Sequence, residues 1–213
     1  MNFLKLSAAF TALVIMGCTS VSSMQTARTV AEGEYRFLVA SGLFRTDALS
    51  TSDPDQVLYP YLELGTRFGF TPGWDLGFKV TAPGTLTGDV KACLYADDAF
   101  AAALGVGVAY LAVKDRSAGD DFFNEDVLDI LLPAYLSYDF SKEFGVYLSP
   151  RVVVRHFKQG YLLAGGALGT RIGNSWGVML EASAAFDTKS SFKQYQLGAG
   201  LFFGSPHAAV ANP

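Results

Sequence analysis

The sequence predicts an all-β protein, a closed, antiparallel up-and-down transmembrane β-barrel of about ten strands. The first observation is that hydrophobic residues alternate with period two from residue 33 onward, which is typical of strands with two unlike faces. The second is the composition: 50% of the 213 residues are hydrophobic and only 17% are charged. The third is that no apolar run beyond residue 17 approaches the roughly 18 residues of a membrane-spanning helix. An apolar chain without spanning helices is predicted to cross a membrane with strands or to pack a soluble core.

The alternating segments are about 9–14 residues long, near the roughly 9–11 that a tilted membrane strand needs. Short segments that contain turn formers such as Pro, Gly, Asn, Asp and Ser follow the second, fourth, sixth and eighth segments and predict tight turns. The two longest connections, 46–55 and 114–126, lie at the other end of the strands. The predicted strands cover residues 33–45, 56–70, 74–82, 87–95, 99–113, 127–140, 144–157, 161–172, 176–187 and 192–203.

The distribution of charge decides between a membrane barrel and a soluble one. In the strand 74–82, Trp74 and Phe78 share one face, whereas Asp75 and Lys79 share the other. The apolar face of the ten strands is predicted to carry no charged residue, and the other face combines charges with Gly and Ala. Such a face cannot form a dry core, so it is predicted to line a lumen where charges pair, with the apolar face toward lipid. The predicted lumen charge network comprises Glu63, Arg67, Asp75, Lys79, Asp89, Lys91, Asp129, Asp139, Arg151, Arg155, Arg171 and Glu181.

Aromatic residues occur where such a barrel meets the lipid headgroups. Trp74 and Trp176 begin strands directly after predicted short turns, and Tyr110 and Phe186 lie near the opposite strand ends. Because amphipathic rings favour the headgroup level, these four residues are predicted to belong to two aromatic girdles. The alternative is that they fill the core of a soluble sandwich.

Two prolines interrupt the alternation in neighbouring strands. Pro133 and Pro150 fall within the sixth and seventh segments. Since proline cannot donate to a β-ladder, we expect a bulge at each position.

The amino terminus carries a targeting segment. Lys5 precedes an apolar stretch over residues 6–16, which has the length of a secretory signal and is too short to span a bilayer. The segment ends in Ile15-Met16-Gly17-Cys18, which resembles the bacterial lipobox. The resemblance implies that residues 1–17 are a lipoprotein signal peptide and that Cys18 receives a diacylglycerol and an amide-linked acyl chain such as palmitate. Residues 18–32 are then expected to be a lipidated N-terminus and flexible tether, 33–204 the barrel, and 205–213 a C-terminal tail.

Together, the alternating strands, the short and long connections and the lipobox resemble the small outer-membrane β-barrel proteins of Gram-negative bacteria, here in lipoprotein form. The resemblance implies that the protein resides in the cell outer membrane with its short turns in the periplasm. An even strand number also implies a periplasmic N-terminus, lipid-anchored at Cys18. The partners it implies are outer-membrane lipids, together with small solutes or surface ligands at the loops 46–55 and 114–126.

The sequence contains little that points to chemistry. A net charge of −4 argues against nucleic-acid binding, and no cofactor motif, metal-ligand spacing or catalytic triad is present. His156 invites comparison with outer-membrane lipid A deacylases, but Lys158 stands where that family has its serine nucleophile. The expected function is therefore a non-catalytic envelope structural or surface-binding role with a largely filled lumen. The alternatives are a narrow channel for small solutes and an interfacial lipid-modifying enzyme.

Overall fold

The computed structural model describes residues 22–46, 58–82, 84–112, 126–156, 160–189 and 193–205. Within this part of the chain, ten antiparallel strands follow one another around a closed barrel, and β1 pairs with β10 to close it. The predicted fold class is confirmed, and each predicted strand lies within about three residues of an observed one. The strands are β1 (Tyr35–Thr46), β2 (Tyr59–Thr71), β3 (Trp74–Ala82), β4 (Thr85–Ala96), β5 (Phe100–Ala112), β6 (Asp126–Asp139), β7 (Phe144–His156), β8 (Tyr161–Gly173), β9 (Trp176–Asp187) and β10 (Lys193–Gly204).

Four short turns join strands at one end of the barrel, as the turn residues predict. In the β2–β3 turn, Gly73 adopts a φ of 78°, which is readily accessible only to glycine. In the β4–β5 turn, the Asp97 carboxylate accepts the N–H groups of Phe100 at 2.7 Å and Ala99 at 2.9 Å. These hydrogen bonds, led by that from Phe100, lower the pKa of the exposed Asp97. Local interactions therefore fix where the β2–β3 and β4–β5 hairpins reverse direction.

The expected bulges at Pro133 and Pro150 are wrong. Pro150 pairs with Gly166 in an unbroken register, and Pro133 keeps its pairing with Arg151 although neighbouring pairs are missing from the ladder. A proline removes one donor but occupies the pleat like any other residue, so the ladder loses a bond without gaining a residue. The register shifts instead lie between Gly69 and Thr71 in β2 and between Cys93 and Tyr95 in β4.

The two faces of the wall differ in polarity in the predicted direction. Outward residues such as Leu64 and Val106 are 50% and 52% exposed, whereas the inward Glu63 and Asp129 are completely buried. A soluble barrel has the opposite arrangement, so the apolar exterior requires an apolar environment.

No helix in the described residues is long and apolar enough to cross a membrane.

Candidate functional site

All twelve residues of the predicted lumen charge network are located on the inner wall, where β2, β3, β4, β6, β7, β8 and β9 contribute them. Each side chain is buried or half-buried, and three of the carboxylates are completely shielded from solvent. A buried charge is costly unless it is paired or hydrogen-bonded. The partners of these charges therefore determine what the lumen can do.

Arg67 is the centre of the largest ion-pair cluster. Its Nη2 lies 2.5 Å from Asp75 Oδ1 and 2.8 Å from Asp89 Oδ2, so one guanidinium bridges two carboxylates. Lys91 Nζ lies 3.5 Å from the other oxygen of Asp75. This cluster joins β2, β3 and β4 across the inner wall. Further wall-to-wall ion pairs are Arg155–Asp129 at 2.8 Å, Arg171–Asp139 at 3.0 Å and Lys79–Glu63 at 3.2 Å.

The lumen also contains the chain's own N-terminal residues. Residues 22–30, here called the N-terminal strap, precede β1 and lie inside the barrel, and all but the half-buried Gln25 are buried. The strap reaches Asp75, the second residue of β3, through Val30, and Lys79, farther along β3, through Ser22. It therefore runs from the short-turn mouth toward the middle of the lumen. The expected flexible tether over 18–32 is wrong for residues 22–30, because their polar groups and side chains are engaged by the inner wall.

Glu181 on β9 holds one end of the strap. Its carboxylate accepts hydrogen bonds from the backbone N–H of Ser23 at 2.8 Å, the Ser23 hydroxyl at 2.7 Å and the backbone N–H of Met24 at 2.6 Å. The Tyr147 hydroxyl donates a fourth, at 2.9 Å. Glu181 thus binds peptide groups of the strap, where the sequence predicted only wall-to-wall pairing.

Two lysines of the charge network bind strap carbonyl groups. Lys91 Nζ donates to the carbonyl oxygens of Thr26 and Arg28, each at 2.9 Å, and Lys79 Nζ donates to that of Ser22 at 2.8 Å. In the opposite sense, Asp75 Oδ2 accepts the N–H of Val30 at 3.0 Å. The network therefore satisfies backbone groups of a segment that has no strand partner along most of its length.

Arg28 attaches the strap to the short-turn end of the wall. Its Nε lies 2.6 Å from Asp139 Oδ2, and its Nη2 donates to the carbonyl oxygen of Asp97 at 2.7 Å. Asp139 also binds Arg171, so one carboxylate serves a strap arginine and a wall arginine. Arg28 is not part of the predicted charge network because it lies outside the alternating segments.

Apolar packing secures the same end of the strap that Glu181 holds. Met24 is 4% exposed and belongs to a buried cluster with Ala40, Tyr147, Met179 and Phe202. The inner glycine Gly198 makes room for it, since a Cβ there would overlap Met24 and the Tyr61 hydroxyl. The space left by inward glycines is thus filled by Met24 and by tyrosines.

A cavity of about 90 Å³ remains between the strap and the wall, lined in part by Ser22, Lys79 and Arg151. Arg151 Nη1 lies 3.5 Å from the Ser22 carbonyl oxygen, and Arg151 Nε and Nη2 have no protein partner among the described residues. A space of this volume has room for several water molecules, and the Arg151 guanidinium offers them hydrogen-bond donors. The lumen is thus filled by protein, apart from this small cavity, which apolar as well as polar residues line.

The outer wall carries the predicted aromatic residues. Trp74 is 46% exposed and Trp176 75% at the short-turn end, and Tyr110 and Phe186 are each 41% exposed near the other end. One prediction about this wall is wrong at the strand ends: Arg45 and Lys193 occupy outward positions, so the outer face is not free of charge. Both lie at the long-loop end, where the pattern passes from lipid-facing wall to loop.

The other predicted features give no site among the described residues. No group of three or more potential metal ligands occurs there. His156 lies exposed at the end of β7. Cys18, Lys158, the loop 46–55 beyond Thr46 and the loop 114–126 before Asp126 fall outside the described residues.

No protein-family model and no curated protein matches the chain. Among solved structures, it is similar to the translocator domain of the autotransporter NalP from Neisseria meningitidis, with 10% identity, 94% of this chain and 93% of that chain covered, and a TM-score of 0.43. It is similar to the outer membrane protease OmpT from Escherichia coli, with 9% identity, coverage of 85% and 100%, and a TM-score of 0.39. It is also similar to Ail, the attachment invasion locus protein of Yersinia pestis, with 13% identity, coverage of 81% and 100%, and a TM-score of 0.29.

Proposed function

We propose that this protein is an integral, non-catalytic β-barrel of a Gram-negative outer membrane, with a lumen closed by its own N-terminal strap. The observation that carries the proposal is the polarity of the barrel, which is apolar outside and charged inside. The lumen carboxylates are bound by arginines, lysines and strap N–H groups. Closure leaves no unpaired strand edge in lipid, and an apolar exterior costs nothing there. The role is structural or surface-binding, exercised through the long loops.

The membrane assignment is tested by fractionation and gel migration. We expect the protein in the outer-membrane fraction, with a folded form that migrates differently from the heated one. Recovery in the periplasmic soluble fraction would contradict the assignment.

The closed lumen is tested by conductance in planar bilayers. Folded protein, verified by its heat-modifiable migration, is expected to give no unitary steps even at high protein load. Reproducible steps would favour the alternative of a narrow channel for small solutes.

The non-catalytic role is supported by the engagement of the lumen carboxylates with arginines, lysines and strap peptide groups. The competing proposal, an interfacial lipid-modifying enzyme, depends on His156. Lipid turnover by the purified protein that disappears in His156→Ala would contradict the non-catalytic role, and no turnover by either form is expected.

Lipid attachment at Cys18 in the periplasmic leaflet is part of the same proposal. It requires the chain to return from Ser22, which lies inside the lumen, to the short-turn mouth. Four residues take the chain from Cys18 to Ser22, which spans at most about 14 Å when fully extended. Mass spectrometry is expected to find an acylated Cys18, lost in Cys18→Ser. The side of the membrane on which the N-terminus lies is tested by cysteine labelling. Ser20→Cys in a Cys93→Ser background is expected to react with an impermeant maleimide only after the cells are permeabilised. Labelling of intact cells would contradict a periplasmic N-terminus.

A further inference from the structure

One cation of the predicted charge network differs from the others in its partners. Arg151 lies half-buried on the inner wall, near the middle of β7. Among the described residues it forms no ion pair, and its hydrogen bonding there is limited to the 3.5 Å contact of Nη1 with the Ser22 carbonyl oxygen. Each of the other cations of the network lies within 3.5 Å of a carboxylate oxygen; these are Arg67, Lys79, Lys91, Arg155 and Arg171.

The register of the wall explains this difference. Arg151 pairs with Pro133 on β6 and with Gly165 on β8, neither of which carries a charge. Four residues along the same strand, Arg155 pairs directly with Asp129. The wall therefore supplies a carboxylate to Arg155 and none to Arg151. The diagonal neighbours of Arg151, which lie roughly 7–8 Å away on the inner face, are also uncharged; they are Leu131, Tyr135, Leu163 and Ala167.

The N-terminal segment supplies no carboxylate to Arg151 either. Residues 1–31 contain no aspartate or glutamate, so neither the strap nor the chain before it contains an acid. The long loops 46–55 and 114–126 do contain acids, but they join the strands at the end where β7 finishes at His156, about 16 Å along the strand from Arg151. The described chain therefore places no carboxylate beside Arg151, and a half-buried cation without one is costly.

The two donors that Arg151 leaves unused are the pair that binds a carboxylate. Its Nε and Nη2 are shielded from solvent and have no hydrogen-bond partner among the described residues. These two N–H groups point the same way and form a fork that matches the two oxygens of a carboxylate. Arg155 uses the same fork, with Nε 2.9 Å from Asp129 Oδ1 and Nη2 2.8 Å from Oδ2.

The cavity beside Arg151 limits what the fork can bind. Its volume is about 90 Å³, and its lining includes the apolar side chains of Met24, Met179 and Phe202. Such a space holds a short alkyl group next to a carboxylate, and it is smaller than the roughly 150 Å³ cavity that binds benzene in another protein. A second carboxylate on the ligand would be buried without a cation of its own. The cavity therefore favours a small acid with one negative charge.

We propose that the Arg151 fork binds the carboxylate of a small monocarboxylic acid, such as acetate, inside the lumen, with the alkyl group against the apolar part of the cavity lining. The bound acid supplies the counter-charge that the wall and the strap do not. This inference goes beyond the proposed structural or surface-binding role, because it assigns a small-molecule ligand to the interior of the barrel.

The test is urea unfolding of the full-length protein, folded in a neutral detergent, at increasing sodium acetate. Sodium chloride is reduced in step, so that acetate replaces chloride at constant ionic strength. Since one acetate is released on unfolding, the unfolding equilibrium constant is expected to fall about tenfold for each tenfold rise in acetate above its Kd. In Arg151→Gln the constant is expected to change less than about twofold over the same range. Lys142→Gln, which removes an exposed cation of equal charge at the short-turn end, is the matched control and is expected to respond like the unaltered protein.

Two further arms test the chemistry of the fork. Arg151→Lys keeps the positive charge but lacks the paired donors, so it is expected to lose the response to acetate, and it replaces Arg151→Gln should that variant not fold. Malonate, which carries a second carboxylate, is expected to stabilise the unaltered protein at least about tenfold less than acetate.

Three outcomes would overturn the site: an unaltered protein that does not respond when acetate replaces chloride, an equal response in Arg151→Gln, or equal stabilisation by malonate. Heat-modifiable migration is measured on every sample. A protein without it fails the barrel assignment, whereas a heat-modifiable barrel that ignores acetate fails only the ligand site.

Discussion

Glu181→Ala is predicted to release the N-terminal strap from the lumen without unfolding the barrel. The substitution removes three hydrogen bonds to the strap, from Ser23 N–H, Ser23 hydroxyl and Met24 N–H, at 2.6–2.8 Å. Hydrogen bonds to a charged group each contribute about 1.5–3 kcal/mol, and water entering the lumen restores part of the loss. A net cost of about 3–4 kcal/mol shifts the docked strap toward the released state by roughly 10²- to 10³-fold.

The chain contains a natural reporter of this release. Trypsin cleaves after Arg28, whose side chain is 9% exposed and bound to Asp139 in the docked strap. When the strap leaves and re-enters the lumen faster than trypsin cleaves it, the cleavage rate is proportional to the population of the released strap. The assay is mass-spectrometric quantification of the peptide that begins at Thr29, with cleavage after the exposed Lys142 as an internal reference. Glu181→Ala is expected to raise the ratio of the two rates by roughly 10²- to 10³-fold.

Tyr147→Phe is the matched control for this experiment. It removes the fourth hydrogen bond to Glu181, at 2.9 Å, but leaves the strap's own bonds and the ring that packs near Met24. Its effect on the ratio is expected to stay below about tenfold. If Glu181→Ala leaves cleavage after Arg28 unchanged in a barrel that still shows heat-modifiable migration, the strap is not held by this carboxylate and the reasoning fails.

Three other changes test the wall and its packing. Leu64→Arg, on the lipid-facing side, is expected to lower the free energy of unfolding in lipid vesicles by about 2–4 kcal/mol. Gly65 lies on the inner face, and an added Cβ would meet no atom closer than 3.6 Å, so Gly65→Ala is expected to leave the free energy of unfolding nearly unchanged. Equal losses in Leu64→Arg and Gly65→Ala would refute the assignment of which side of β2 faces lipid. Arg67→Met leaves the buried Asp75 and the half-buried Asp89 without their bridging cation. The free energy of unfolding in urea titration is expected to fall by about 3–5 kcal/mol, and a fall below about 1 kcal/mol would contradict the stabilising role of this cluster. Gly198→Ala forces the Tyr61 hydroxyl aside and is expected to increase tryptic cleavage after Arg28. An unchanged cleavage rate would show that the lumen side chains rearrange to accept the methyl group without releasing the strap.

The strands could be predicted because their signal is local. In β3, Trp74 and Phe78 alternate with Asp75 and Lys79, and a period of two is meaningful only in a strand that separates two environments. The turn chemistry of Gly73 and the residues around it fixes where each hairpin reverses, without reference to distant parts of the chain. Closure follows from the number of strands and from the cost of open edges in lipid.

The lumen partners could not be predicted in this way. Glu181 and Ser23 are 158 residues apart. A Ser- and Thr-rich segment contains no local pattern that indicates that a distant carboxylate will accept hydrogen bonds from the N–H groups of that segment. Polar residues without periodicity are typical of a linker, which is why residues 18–32 were expected to be a tether. The strap is ordered by the barrel around it, so its conformation is a property of the assembled wall.

The alternation of side chains by itself determined that this chain builds a closed barrel with an apolar exterior and a charged interior. Only the tertiary structure decided what the interior charges bind, because side chains from β3, β4 and β9 meet the strap inside the closed lumen after the wall has formed. The physical reason is that alternation is encoded within a few residues, whereas a hydrogen bond to a peptide group depends on where two distant segments are brought in space.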